Sequence, residues 1–505
     1  MTMDKTNVRL PRSAPEAEGV SSRGLISFLD MVERSGIEFH LLTVARHGKV
    51  ILQGEWAPYR QEFPHMTHSL TKLFTNTAVG MACTEGYFSL DSHVISFFPD
   101  EAPATISDNL AAMTVRDLIT MRCGHGQLLS GNKWRPIKTS WVAEFFKEPL
   151  PYAPGDYFQY TSATSYMLSA IVQKTTGLTA HAFLREKLFD PMGIEDESWD
   201  LCPHGINTGG NGLTIKNEDC VKIGLLYLND GELNGKRYLS REWVREAMYD
   251  ACTLNPDTGY GFHLSNEGRF ISSGGIFGQT VVLVPEYDMV VAINAANQTN
   301  RSNALDSAMR PLLEEGLLAA IQDETSAAEP EAVREVESRL KALSLRTPEG
   351  APHSPGESAY SGEYAVPAPV DSIASLHFAF DAEGCTFRMK DDRGEHSVRC
   401  GNHAWAYGQS SMTGYYLHHQ YQPDSTRVAG RGWWVSPTVY VMQWAWVNMT
   451  FVDTVVCEFS DGGVAVKRRV NVNTITKPAK DSAKILEAGA EDKERPEIRG
   501  MKTKH

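Results

Sequence analysis

A run of charge followed by a run of helix breakers divides this chain into two unlike parts. Ala327 to Leu345 is a charged helical stretch, and Pro348, Gly350, Pro352, Pro355 and Gly356 come directly after it. No regular element survives that density of proline and glycine, so the composition shift marks a domain boundary. At 505 residues the chain is also too long for one ordinary core. We read 1–322 as one domain, 323–358 as a helical and Pro/Gly-rich linker, and 359–476 as a second domain. The tail, 477–505, is heavily charged and almost free of aromatic residues, which predicts disorder.

The first part alternates its periodicity. Ser21 to Ser35 places Leu25, Ile26, Leu29 and Val32 at helical spacing behind the capping candidates Ser21 and Ser22. Phe39 to Ala45 and Lys49 to Trp56 flank His47-Gly48 as a hairpin, and Thr280 to Val284 and Met289 to Ile293 flank Pro285-Glu286-Tyr287-Asp288 as another. Between them, Ser69 to about Glu85 and several segments from Thr114 to Leu188 read as helices. Strands at both ends with helices between predict an α+β domain, an antiparallel sheet closed against a helical cluster. From Tyr360 to about Thr476 helical periodicity is missing, and strand-like runs such as Trp433 to Trp446 and Thr450 to Glu458 predict a small all-β domain. Its tryptophans, Trp433, Trp434, Trp444 and Trp446, fit a core better than a ligand surface.

Composition excludes several functions. A formal charge of -14 and a pI of about 5.6 argue against a nucleic-acid partner, because phosphate binding draws on a basic surface. The first twelve residues show charge without the apolar stretch of a secretory signal. No run approaches the ~20 apolar residues of a membrane helix; the best candidate, Val281 to Ala296, is broken by Pro285, Glu286 and Asp288. The eight cysteines form no C-x-x-C pair and read as small buried hydrophobes rather than disulfides or metal ligands. The expectation is a cytoplasmic protein with no membrane association.

Ser69-Leu70-Thr71-Lys72 opens an apolar helical stretch containing Leu73, Phe74, Ala78, Val79 and Ala82. That spacing puts a hydroxyl and an amine on one helix face. A serine hydroxyl needs a neighbouring base at neutral pH. A free lysine, with a pKa of about 10.4, is mostly in the wrong protonation state, and burial or a second cation is what lowers it. At a helix start the hydroxyl would also sit among unpaired backbone N–H groups. The same spacing recurs at Ser338-Arg339-Leu340-Lys341, but among Arg334, Glu335 and Glu337, the pattern of a solvated face. Context separates the two copies, not spacing.

Other segments extend the first copy. His68-Ser69-Leu70-Thr71-Lys72-Leu73-Phe74 continues through Gly86 to Leu90-Asp91 and Phe98-Pro99-Asp100. Then come Met113-Thr114-Val115-Arg116-Asp117-Leu118-Ile119-Thr120-Met121, Pro154-Gly155-Asp156-Tyr157-Phe158-Gln159-Tyr160-Thr161-Ser162, Phe189-Asp190-Pro191-Met192-Gly193-Ile194 and Gly209-Gly210-Asn211-Gly212-Leu213. In order and spacing, over roughly 15–315, this set resembles the serine β-lactamase-like superfamily. It is most similar to class C β-lactamases, family VIII carboxylesterases and related penicillin-recognising proteins.

The resemblance implies that Ser69 is the acylated nucleophile, Lys72 its proton partner, and Tyr160 the tyrosine of the Y-x-N motif, sharing the general-base role. Taking a tyrosine from a pKa of about 10 to a phenolate at pH 7 costs about 4 kcal/mol unless a cation such as a Lys72 ammonium stabilises it. The two titrations would be coupled, so which group is the base stays open. Ser162 stands where the motif has asparagine, and a hydroxyl does not present an amide's donor and acceptor together. Where K-T-G is expected, Ser273-Gly274-Gly275 precedes Ile276-Phe277-Gly278-Gln279 with no basic residue. In penicillin-recognising enzymes that cation helps bind the substrate carboxylate, so its loss weakens a β-lactam or peptidoglycan reading. Glycines there let a carbonyl approach the strand closely.

By the same resemblance, the N–H groups of Ser69 and Ile276 form the oxyanion hole, and Ser162, Ser273, Gly274 and Gly275 support the substrate. His125, in Cys123-Gly124-His125-Gly126, is either a substrate contact or loop packing. His65 and His68 lack a third ligand, so neither a metal nor a cofactor is expected. No G-x-S-x-G elbow occurs. The expected function is a serine hydrolase that cleaves a small ester or amide through an acyl-enzyme on Ser69, most like a carboxylesterase. Alternatives are a β-lactamase or D-amino-acid peptidase, an acyltransferase, and a non-catalytic binding protein on the same scaffold; a homo-oligomer is compatible with all of them.

Overall fold

A computed structural model of the chain describes residues 9–129, 136–249, 252–255, 258–298, 305, 307–322, 328–412, 424–472 and 497–503. Helix α1 (Ser22–Arg34) is capped by Ser21, whose side chain accepts from the Gly24 N–H, and it buries Leu25, Phe28, Leu29 and Val32 along one face. β1 (Glu38–Arg46) and β2 (Lys49–Glu55) pair antiparallel with Arg46 opposite Lys49. The two residues between them, His47 and Gly48, both have positive φ, as a two-residue hairpin turn requires.

Six more strands complete the sheet: β3 (Cys252–Asn255), β4 (Thr258–Tyr260), β5 (Ser265–Glu267), β6 (Phe270–Gly275), β7 (Gln279–Val284) and β8 (Met289–Ala296). Their order is β2-β1-β8-β7-β6-β5-β4-β3, so the strands from the two ends of the domain meet at β1 and β8. The expected second hairpin is β7–β8, with Val284 opposite Met289. Alternate residues face opposite layers, as a pleated strand dictates. Ile271, Val281, Leu283, Val290 and Ala292 join the core formed with α2 (Thr71–Thr84), α3 (Ser162–Thr176) and α4 (Asn217–Leu228). Phe270, Val282, Val284, Val291 and Ile293 join the core shared by α1 and α5 (Pro330–Ala342). α2 is buried around nearly its whole circumference, which puts its first turn deep in the protein. α5 holds the second S-x-x-K at the surface: Lys341 is exposed, and Arg339 donates to Asp30 of α1.

The second sheet has ten strands: β9 (Gly362–Ala365), β10 (Ser375–Asp381), β11 (Gly384–Asp391), β12 (Gly394–Asn402), β13 (Ala406–Ser410), β14 (Thr426–Ser436), β15 (Val439–Ala445), β16 (Val452–Ser460), β17 (Gly463–Val470) and β18 (Ile498–Lys502). β12 and β14 pair in parallel, Cys400 opposite Gly430, closing nine strands into a barrel with β13 outside the ring. Closure removes the sheet's open edges. Trp434, Trp444 and Trp446 belong to the barrel core, and Trp433 is buried beside it.

One part of the tail reading is corrected. β18 lies between β9 and β17, pairing Met501 with Ala365 and Ile498 with Val466, so the end of the charged segment completes the barrel. Ile498 and Gly500 face inward, an alternation too short to stand out among charged neighbours. Residues 477–496 lie outside the described residues. All eight cysteines are unpaired, and six are buried. Among the described residues no helix is long and apolar enough to cross a membrane.

Candidate active site

Ser69 sits in a single 3-10 turn, His68–Leu70, that leads into α2, so it precedes the α-helix rather than opening it. The turn is tied down on both sides. Thr67 Oγ1 donates to Leu213 O at 2.7 Å and meets Thr71 Oγ1 at 3.0 Å, while Thr71 Oγ1 accepts from Leu213 N at 3.2 Å. Ser69 itself is half-buried, so its hydroxyl remains reachable.

Lys72 Nζ lies 3.2 Å from Ser69 Oγ, 3.2 Å from Ser162 Oγ and 2.7 Å from the Gly210 carbonyl. Only 2% of the residue is exposed, and burial lowers its pKa from 10.5 to about 7. A neutral amine has two N–H donors and one lone pair. The Gly210 carbonyl must take one N–H and Ser162 Oγ can take the other, leaving the lone pair for the Ser69 proton. The partner set therefore fits the form of lysine that can act as a base.

Tyr160 precedes Thr161, the N-cap of α3, whose side chain accepts from Ala163 N. Its ring faces Lys72, with Nζ 4.8 Å from the ring centroid, and packs edge-on to Tyr260 at 6.5 Å. The phenol oxygen is buried next to Ser69 without a hydrogen bond of ordinary geometry. Burial pushes its pKa well above the usual tyrosine value, and the interaction with Ser69 offsets this only in part. Burial therefore works against both charged forms considered from sequence, the phenolate as well as the ammonium.

β6 runs beside the Ser69 turn. A Cβ on Gly275 would stand 2.3 Å from Thr67 O and 2.9 Å from Ser69 N, so only glycine permits this approach. Ser273 shares Gly275's face, toward the helical layer, whereas Gly274 points to the opposite layer. Ile276, partly buried, follows directly and packs toward the barrel core. His125 is 2% exposed, its ring lies edge-on to Phe145 at 4.8 Å, and burial lowers its pKa to about 4. His65 bonds to His40 at 3.2 Å and to Met66 O at 2.9 Å.

Two partners of Lys72 escaped sequence reasoning. The Gly210 carbonyl holds the lysine amine, although only its glycine-rich surroundings had stood out. His263 Nδ1 lies 3.0 Å from the Lys72 carbonyl and Nε2 lies 3.3 Å from Ser165 Oγ. Because a carbonyl can only accept, Nδ1 carries the proton, and burial keeps the ring neutral with a pKa lowered to about 3. No local motif marks it; its signal is a positive φ inside a tight loop after β4.

The profile of the Beta-lactamase family matches residues 30–313. A 6-aminohexanoate-dimer hydrolase of Paenarthrobacter ureafaciens is 25% identical over 276 residues, 49% of this chain and 70% of that protein. A lovastatin esterase of Penicillium rubens is 29% identical over 175 residues, 30% of this chain and 43% of that protein. Among solved structures, a Bacillus anthracis protein assigned provisionally as a 6-aminohexanoate-dimer hydrolase superposes with a TM-score of 0.50 at 16% identity, covering 67% of this chain and 89% of that one. The matched span contains the whole Ser69, Lys72 and Tyr160 arrangement. The chain belongs to the Beta-lactamase family, as a hydrolase of the β-lactamase fold joined to a C-terminal β-barrel.

Proposed function

We propose that the protein is a serine hydrolase that cleaves a small ester or amide through a covalent acyl-enzyme on Ser69. The observation that carries this reading is the Lys72 amine, 3.2 Å from Ser69 Oγ and almost fully buried, where burial lowers its pKa to about 7. Neutral Lys72 takes the Ser69 proton as Oγ attacks the substrate carbonyl carbon, and the C=O electron pair moves onto oxygen. The N–H groups of Ser69 and Ile276 receive that oxyanion, each such donor being worth about 100- to 1,000-fold in rate. The Lys72 ammonium then returns its proton to the departing alkoxide or amine, with the Tyr160 phenol as relay. Water repeats the sequence on the acyl-enzyme and releases the acid. Ser162 and the Gly210 carbonyl orient the amine, while Ser273 and Gly275 line the acyl site.

The two relatives named above support an ester or amide bond as the target, one by its name as a dimer hydrolase and the other as an esterase. The missing cation at Ser273-Gly274-Gly275 favours a non-anionic acyl group. The test pairs substrates with a label. p-Nitrophenyl acetate is hydrolysed far faster than nitrocefin, and a fluorophosphonate adds its mass to Ser69. Ser69→Ala loses both with its unfolding transition intact; hydrolysis at the wild-type rate in that variant would move the nucleophile elsewhere.

A further inference from the structure

The barrel reaches the catalytic residues through one turn. After β15 the chain makes the segment Trp446-Val447-Asn448-Met449-Thr450-Phe451 before entering β16. Met449 N donates to Trp446 O at 2.7 Å and Trp446 N to Phe451 O at 3.0 Å, so the segment is internally braced. The Trp446 indole donates to buried Asp453 at 2.8 Å, which fixes it to the barrel wall.

From this base the turn holds the segment that leads into Ser69 and the end of β8, which in turn bonds to the residue after Ile276. Asn448 O accepts from Met66 N at 2.8 Å, and Asn448 Nδ2 donates to Pro64 O at 2.6 Å, on the segment leading into Ser69. Thr450 Oγ1 donates to Ala295 O at 2.7 Å, at the end of β8, where Asn297 N donates to Phe277 O at 2.9 Å. Phe451 packs edge-on to His68 at 6.1 Å and to Phe277 at 6.2 Å, and those two rings meet at 5.6 Å. All three rings are buried.

His68 immediately precedes Ser69, and Phe277 immediately follows Ile276. Both have positive φ, 48° and 67°. For residues with bulky side chains that conformation is sparsely populated, and it persists only where the surroundings enforce it. The His68 conformation turns the peptide that carries the Ser69 N–H, and the Phe277 conformation fixes how the chain leaves Ile276.

We infer that the barrel turn is a positioning element for the oxyanion hole, with Phe451 locking the His68 and Phe277 backbones and Asn448 holding the approach to Ser69. The inference rests on the acyl-enzyme reading above. It makes the barrel a working part of the catalytic domain rather than an appended module.

The experiment uses the full chain. Fluorophosphonate labelling of wild-type Ser69 comes first, read by intact mass; a wild type that never labels sinks the underlying reading and not this one. Given labelling, Phe451→Ala, Phe451→Leu and Asn448→Ala are compared by single-turnover acylation with p-nitrophenyl acetate. Phe451→Ala is expected to slow acylation by about 10- to 100-fold, short of the full loss of a donor, with the substrate's half-saturation concentration nearly unchanged. Phe451→Leu keeps the apolar bulk and recovers most of the rate, and Asn448→Ala slows acylation several-fold. Wild-type acylation in the variants that show a native unfolding transition overturns the inference, as does a loss confined to half-saturation. Failure of all three to fold also overturns it, because the turn would then hold the fold and not the hole.

Discussion

Lys72→Met keeps the apolar stem of the side chain and removes the amine, so it separates what lysine does for chemistry from what it costs the fold. Burial takes the amine from 10.5 to about 7. At about 1.36 kcal/mol per unit, the charged form is disfavoured by about 5 kcal/mol. Against this, the variant leaves the Gly210 carbonyl without its donor, a loss of about 1–3 kcal/mol for a buried group. At pH 6 the variant should therefore be more stable than wild type by about 2–4 kcal/mol, the behaviour expected when a buried charge is exchanged for a packed apolar side chain. The sign follows from proton counts. Between about 7 and 10.5 the unfolded chain binds a proton that the folded chain does not, so wild-type stability rises with pH by about 1.4 kcal/mol per unit. Below about 7 the penalty is fully present, and above 10.5 it vanishes. Near the upper limit the variant becomes the less stable protein, because only its lost hydrogen bonds remain. Urea unfolding at pH 6, 8.5 and 10.5, followed by tryptophan fluorescence, reads the difference directly. The same variant should hydrolyse p-nitrophenyl acetate about 100- to 10,000-fold more slowly. A stability difference between the two proteins that does not change with pH would refute the reasoning, since a lysine of ordinary pKa would produce it.

For the wild type, kcat/KM should rise with pH and level off above about 7 as Lys72 loses its proton, with no further rise from the Tyr160 phenol below its ordinary range; a profile flat through neutrality would exclude Lys72 as the base. Gly275→Ala puts a methyl group 2.3 Å from Thr67 O, pushing β6 away from the Ser69 turn. Acylation should fall by about 100-fold, in line with displacement of an oxyanion donor, and single-turnover acylation at the wild-type rate would place the hole elsewhere.

What could be read before the structure depended on the range over which each signal acts. The His47-Gly48 and β7–β8 hairpins were legible because a turn and its flanking alternation lie within a few residues. The Ser69 and Lys72 pair was legible through the apolar helix behind it, and the identical spacing on α5 shows that the residues alone said nothing. The degree of Lys72 burial was not legible, since it depends on α2 being enclosed by α3, α4 and the sheet. Neither was the Gly210 carbonyl, a backbone atom 138 positions away, nor His263, whose role lies in one bond to the Lys72 carbonyl. β18 was hidden because five residues of alternation give too little pattern, and its partners lie far back at Ala365 and Val466. The contact of Phe451 with His68 and Phe277 crosses a domain boundary and has no local signature at all.

One physical cause acts on both proton partners proposed for Ser69. Burial disfavours whichever form carries charge, so it moves Lys72 down toward neutrality and Tyr160 up, away from it. A phenolate beside an ammonium would place two charges in the same dry space, and their attraction would have to exceed two desolvation costs. A neutral amine beside a neutral phenol incurs neither cost and still offers one lone pair and one hydroxyl proton, which is all that acylation and its reversal demand. Such a pair can exist only where water is excluded. The enclosing layers are α2, buried nearly all round, the Gly209-Gly210 backbone pressed against the start of α3, and the barrel turn behind His68. On the reading proposed above, exclusion of water from the Lys72 amine and the Tyr160 oxygen readies the pair, and the residues that keep it out serve the reaction as much as Ser69, Lys72 and Tyr160 do.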